Sequence, residues 1–201
     1  MSSAIYIPIS ILALVGLGLL RKRRLEWDKK SIINPKGGNF NCLACCIAAI
    51  KTAQTGTLHV ASPYTPTGKL KHVAQHLSYP NSSNIAKMSK GYWTSRTIER
   101  WLDQVYPNPH GRTQHFIISI IAGKDRTVTS DRDAHALYAY RQYKNGKIET
   151  ILFDPQTGRS KIQTRTYSVL GVTMINPHKI NDEVMEYFRV KKVITSKSIS
   201  I

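Results

Sequence analysis

Three residue types in this chain could carry nucleophilic chemistry: cysteine, histidine and aspartate. All three cysteines fall between residues 42 and 46, in the stretch "NPKGGNFNCLACC". A proline, two glycines and two asparagines there read as a loop, and the apolar "CLACCIAAIKTAQ" after it as a buried helix. Cys42 therefore stands at a helix N-terminus, where unpaired N–H groups and the helix dipole favour a thiolate. Flanking N–H groups there can also face an oxyanion, and glycines allow close backbone approach to a substrate. Cys45 and Cys46 lie within the helix and read as packing residues. A zinc site would need a second pair of ligands, and a redox C-x-x-C would need a preceding strand in a β-α-β order. Neither is present, so no metal or cofactor is expected.

A thiol nucleophile needs a base and a group that orients the base. Seven histidines are available, at 59, 72, 76, 110, 115, 135 and 178. His72 and His76 are four apart on a candidate helix but have no carboxylate partner, His59, His110 and His178 read as loop residues, and His115 opens a strand. His135 begins the apolar strand "HALYAYRQY". Asn145-Gly146, a strong hairpin signal, then leads into "KIETILFD", which ends at Asp154. Antiparallel pairing brings the start of one strand close to the end of the next, so His135 and Asp154 are expected to be neighbours. The competing reading is a capped strand end followed by an ordinary "DPQTG" turn.

The elements around these residues give the framework. "TPTGKLKHVAQHLS" is amphipathic, and "TSRTIERWLDQVY" has a Thr/Ser cap with Ile98, Trp101, Leu102 and Val105 at helical spacing. "QHFIISIIAG" and "SKIQTRTYSVLGVTMI" read as strands, "NDEVMEYF" as a short helix and "RVKKVITSKSISI" as a last strand. Stretches 62–68 and 78–91 read as loops. Helices first and antiparallel strands after indicate an α+β fold.

Residues 4–20, "AIYIPISILALVGLGLL", carry no charge and are followed by "RKRR". Seventeen residues span roughly 25 Å as a helix, slightly short of a bilayer core. The charge follows the apolar run, the reverse of a cleaved signal, so residues 1–24 are expected to form a membrane-seeking segment. A helix buried in the fold or covered by a partner is the first alternative, and a cleaved signal the second. Residues 25–201 then form the catalytic domain.

The 201 residues hold 29 Lys+Arg against 12 Asp+Glu, a formal net charge of +17, with 41% hydrophobic residues. That is a globular composition whose surface favours acidic partners. Zinc-finger, RNP and basic-zipper patterns are absent, so nucleic acid is not the expected partner. Three cysteines within five residues cannot build a disulfide framework, which points to a reducing site of action.

Asn41-Cys42 at a helix start, the strand "H-A-L" from His135 and the strand end "LFDPQTG" through Asp154 together resemble the papain-like bacterial glutamine deamidase toxin and effector family, and the lead-in "INPKGG" is similar too. The match covers two blocks, near 32–49 and 133–158. Related domains often carry Gly before the histidine, where this chain has Ala134. The resemblance implies a papain-like α+β fold whose Cys helix packs on the sheet bearing His and Asp. It implies deamidation of a protein glutamine by Cys42, with His135 as acid and base and Asp154 as orienter. It also implies an oxyanion site at the Cys42 N–H with Asn41 or Asn39, a substrate-side loop at Gly38, and a supporting or turn-shaping role for Gln156. The partners implied are a glutamine-bearing target, an immunity protein or a secretion chaperone. The setting implied is a translocated effector in the target-cell cytoplasm. Two competitors stay open: the same triad used for proteolysis or acyl transfer, and a basic membrane-associated binding module without catalysis.

Overall fold

The computed structural model describes residues 32–38, 40–63, 76–79, 92–106, 112–122, 134–158 and 167–193. The apolar segment 4–20, the basic run 21–24, Asn39 and most of the amphipathic stretch 65–78 lie outside these residues. Among the described residues no helix is long and apolar enough to cross a membrane.

In chain order the elements are α1 (Cys42–Thr55), β1 (His59–Val60), β2 (Tyr92–Trp93), α2 (Ser95–Val105), β3 (Gln114–Ala122), β4 (His135–Lys144), β5 (Lys147–Phe153), β6 (Tyr167–Ile175), a 3-10 turn (Pro177–Lys179), α3 (Asp182–Tyr187) and β7 (Lys191–Lys192). Among the described residues five strands form an antiparallel sheet in the order β2-β6-β3-β4-β5, and β1 pairs with β7. The fold is α+β.

The sheet is covered on both faces. Ile117, Ala136, Tyr138, Phe153 and Ile175 pack with α1. Phe116, Ile118, Ile120, Leu137, Ala139, Leu152 and Val172, from the alternate positions, pack with Ile98 and Leu102 of α2. A strand buried on both faces has no polar side, which explains why "FIISII" in central β3 is apolar but for Ser119. The two helices thus lie on opposite faces of the sheet.

Helix α1 is buried from Leu43 through Ile50 without a break. A helix that is apolar all round must be enclosed on all sides. The sheet covers one side, and Ile180, Phe188 and Val190 from the C-terminal segment join the same cluster. Lys51 Nζ caps this contact by donating to Ile180 O at 2.8 Å. Helix α2 is started by Thr94, whose capping box with Thr97 satisfies first-turn N–H groups.

The β4–β5 hairpin turns at Asn145 and Gly146, with φ of 51° and 76°. Both angles are those of a type I′ turn, whose twist matches the flanking strands. The turn sets the register from Lys144↔Lys147 to Tyr138↔Phe153. Hence Asp154 emerges beside the start of β4. The loop readings need correction at two places. His59 belongs to a two-residue strand paired with Lys192, and Ser78 bridges Ile175. Such short pairings leave no periodicity to read.

Candidate active site

The site forms where the N-terminus of α1 meets the start of β4 and the turn after β5. Cys42 is the first residue of α1 and is partly exposed. The first backbone bond of the helix runs from Cys45 N to Asn41 O at 2.9 Å. The Cys42 N–H therefore lies outside the helical ladder, as first-turn donors do.

His135 opens β4. Its Nε2 lies 3.0 Å from Asp154 Oδ2, with side-chain exposures of 29% and 11%. The ring also hydrogen-bonds the Cys42 side chain. With Nε2 directed at Asp154, Nδ1 is the atom left to face the sulfur. Asp154 is held by the turn that follows it. Its Oδ1 accepts from Gln156 N at 2.9 Å and Thr157 N at 3.3 Å. Its Oδ2 accepts from Thr157 Oγ1 at 2.8 Å. Gly158, at φ 75°, closes the turn by donating its N–H to Asp154 O at 2.8 Å. A buried carboxylate with several donors stays ionised.

The electrostatics separate the three cysteines. Burial raises the Cys42 thiol, but the hydrogen bond and charge of His135, with the Ala136 and Leu43 N–H groups, outweigh it and hold Cys42 below the ordinary thiol value. Burial drives Cys46 well up, with the charges of Cys42, Cys45 and Asp154 adding to it. Cys45 is raised strongly for the same reasons. Burial would lower His135, yet the bonds and charges of Asp154 and Cys42 push it up to about 10. Asp154, though desolvated, is lowered by His135, Thr157 and Gln156. The arrangement lines up a thiol with a lowered pKa, an imidazole with a raised one and a carboxylate with a lowered one.

The structure therefore brings Cys42, His135 and Asp154 together. The expected oxyanion donors fare differently. Asn41 is 1% exposed. Both hydrogens of its Nδ2 are engaged, with Asn34 Oδ1 at 2.9 Å and Ser62 O at 2.8 Å. Its side chain cannot also serve an oxyanion, and the backbone N–H of Cys42 is the donor that the geometry leaves. Asn39 lies outside the described residues. Gly38 is a position of close backbone approach. A Cβ there would sit 2.6 Å from Pro63 Cα and O and 2.8 Å from Asn41 Nδ2. Gln156 faces the Cys42 loop, donating from Nε2 to Gly38 O at 3.0 Å and Asn41 Oδ1 at 2.9 Å.

Asn34 has a part that the sequence reading missed. It is 6% exposed and bonds Gly38, Asn41 and Gln156. Its sequence context, a loop beside Pro35, carries no signal for that. The other described histidines are not drawn into the site. His115 is buried against Tyr138, with 2.7 Å between Nδ1 and Oη. His59 bonds Thr57 O at 2.8 Å, and His178 sits in the 3-10 turn. Among the described residues no group of three or more His, Cys, Asp and Glu side chains is placed to hold a metal ion.

No family model matches the chain, and no curated protein or solved structure matches it.

Proposed function

We propose that the protein is a cysteine-dependent protein-glutamine deamidase, acting as a toxin or effector. One observation carries this reading. Cys42, alone among three cysteines, has a lowered thiol pKa and a histidine–aspartate pair aligned with it. The likeness of "INPKGG…NC", "HAL" and "LFDPQTG" to the papain-like deamidase toxins supports glutamine as the substrate.

In the proposed reaction the Cys42 thiolate attacks the side-chain amide carbon of a target glutamine. The oxyanion is met by the Cys42 N–H. The His135 imidazolium gives its proton to the departing nitrogen, the C–N bond breaks, and ammonia leaves. A thioester to Cys42 remains. Neutral His135 then removes a proton from water, the hydroxide adds to the thioester, the C–S bond breaks, and glutamate is released. Asp154 keeps the ring oriented and its charge balanced throughout.

An amide becomes a carboxylate of nearly the same shape. A new charge at a contact surface is costly to bury, so one such change can end an interaction. The excess of positive charge suits an acidic target or inhibitor face, and an immunity protein or a secretion chaperone is the further partner proposed. Delivery into a target-cell cytoplasm, with residues 4–20 touching a membrane, belongs to the same proposal.

Peptide mass spectrometry of target-cell proteins treated with the wild type and with Cys42→Ala tests it. A gain of about 1 Da at a defined glutamine, present only with the wild type, is the expected result, since the acyl-enzyme attacks a side-chain amide. New chain termini in place of that shift would make the protein a protease. An unchanged biological effect of Cys42→Ala would remove the enzyme altogether.

A further inference from the structure

Two parts of the chain far apart in sequence meet beside the triad, and they meet through uncharged amides. Asn34 Nδ2 donates to Gln156 O at 3.1 Å, across 122 residues. Gln156 Nε2 reaches back to Gly38 O and Asn41 Oδ1, at 3.0 and 2.9 Å. Asn41 Nδ2 completes the group by donating to Asn34 Oδ1 at 2.9 Å. The amide orientations are fixed by unambiguous backbone partners. Gly38 N–H donates to Asn34 Oδ1 at 3.2 Å, Ser62 O accepts from Asn41, and Gly38 O accepts from Gln156. Turning any of the three amides over would set a donor against a donor or an acceptor against an acceptor.

The covalent chain closes this bracket onto the triad. Asn41 immediately precedes Cys42 and is the N-cap residue of α1, but its side chain makes no capping bond. Gln156 lies two residues after Asp154 and donates its backbone N–H to that carboxylate. Two routes therefore join nucleophile and carboxylate. One runs through the His135 ring. The other runs through Gln156 and Asn41 and contains no titratable group.

We propose that Gln156 is a positioning residue which, through Asn41 and Asn34, sets the spacing between the Asp154 turn and the Cys42 helix start so that His135 reaches both at once. A hydrogen-bonded pair of fixed charges tolerates little drift in separation, since its strength depends on distance and angle. During turnover His135 changes charge, and its own bonds to Cys42 and Asp154 change strength. A neutral amide bracket keeps the same partners at each stage and at each pH. Asn41 is then withheld from helix capping because its Oδ1 accepts from Gln156 Nε2, and from the oxyanion because both its amide hydrogens are engaged elsewhere.

This inference rests on Cys42, His135 and Asp154 forming a nucleophilic site, but not on the identity of the substrate. It is tested on the full chain by the pH dependence of Cys42 alkylation with iodoacetamide, followed by peptide mass spectrometry, in the wild type and Gln156→Met. Methionine keeps the length of the side chain and removes both donors. The expected result is a folded variant whose alkylation profile moves to higher pH by about one unit, which lowers the rate about tenfold on the acid limb because the thiolate fraction falls tenfold per unit. A small drop in melting temperature with an unchanged profile would make the bracket a structural brace and overturn the proposal. Loss of the fold would overturn it too, since these bonds would then sustain the domain rather than align the site. Gln156→Ala, which removes the same donors and the bulk, should shift the profile in the same direction and at least as far. If the wild-type Cys42 itself titrates as an ordinary thiol, the nucleophilic site has failed, and the outcome is distinct from failure of the bracket alone.

Discussion

Two histidines on neighbouring strands show how this fold treats the same side chain in opposite ways. His115, near the start of β3, is 4% exposed. Its Nδ1 lies against the Tyr138 hydroxyl, and its ring stacks on the Tyr138 ring, 6.0 Å centre to centre. Burial without a charged partner pushes it down to about 4. His135, at the start of β4, is desolvated as well, but a carboxylate and a thiol face it from two sides and push it up to about 10. A hydrogen bond alone does not make a functional histidine. Opposite charges within reach of an exposed nucleophile do. His115 is a neutral core residue hydrogen-bonded to Tyr138; His135, in the proposed reaction, is the residue that holds and passes a proton.

The comparison breaks most sharply at the nucleophile. Cys42→Ala should abolish activity and all alkylation at neutral pH. Cys45→Ala and Cys46→Ala should leave both intact, at a stability cost of about 1–2 kcal/mol from the small cavities left. Labelling of Cys45 in the folded protein would show that the helix, rather than the histidine, decides which thiol reacts.

Asp154→Asn comes next. It keeps the shape of the turn but removes the charge that holds His135 up. The rate should fall by about 10²–10⁴, the range for a misdirected acid–base group. The corresponding change at the other histidine, Tyr138→Phe, should leave the rate unchanged.

The two histidines also pull stability in opposite directions with pH. His115 has a lowered folded value, so the unfolded chain takes up its proton first. Its contribution is present above about pH 6.5 and is lost as pH falls toward about 4, with an upper limit of about 3 kcal/mol. His135 has a raised value. Its contribution is complete below about pH 6.5 and is lost as pH rises through about 10. Imidazole NMR titration of the folded protein checks both signs. The His115 ring should stay neutral down to acid pH, and the His135 ring should stay charged into the alkaline range. The smallest effect is that of Tyr138→Phe on stability, about 1 kcal/mol for the lost hydrogen bond.

Much of this site can be read from short stretches of sequence, and the reasons are local. An apolar run after a glycine-rich loop places Cys42 at a helix start. Asn145-Gly146 fixes a two-residue turn, and from it strand register alone brings Asp154 to His135. The amide bracket has no such local mark. Asn34, Asn41 and Gln156 each read as loop residues, and their function comes from meeting across more than a hundred positions. For that reason the sequence reading offered Asn41 or Asn39 beside the Cys42 N–H as oxyanion donors, where the structure uses the Asn41 amide to tie loop to loop. The opposite placement of α1 and α2 on the sheet is likewise absent from either helix taken alone, and two-residue strands such as β1 and β7 are too short to leave a period.

The central claim is that His135 makes Cys42 a thiolate. The pH profile of Cys42 alkylation, resolved by peptide mass spectrometry in the wild type and in His135→Ala, tests it most directly. The wild-type midpoint should lie below that of a free thiol, about 8.5. In His135→Ala the largest lowering influence is gone while burial remains, so the midpoint should rise. A wild-type midpoint at or above the free-thiol value, or one that ignores the loss of His135, would contradict the account.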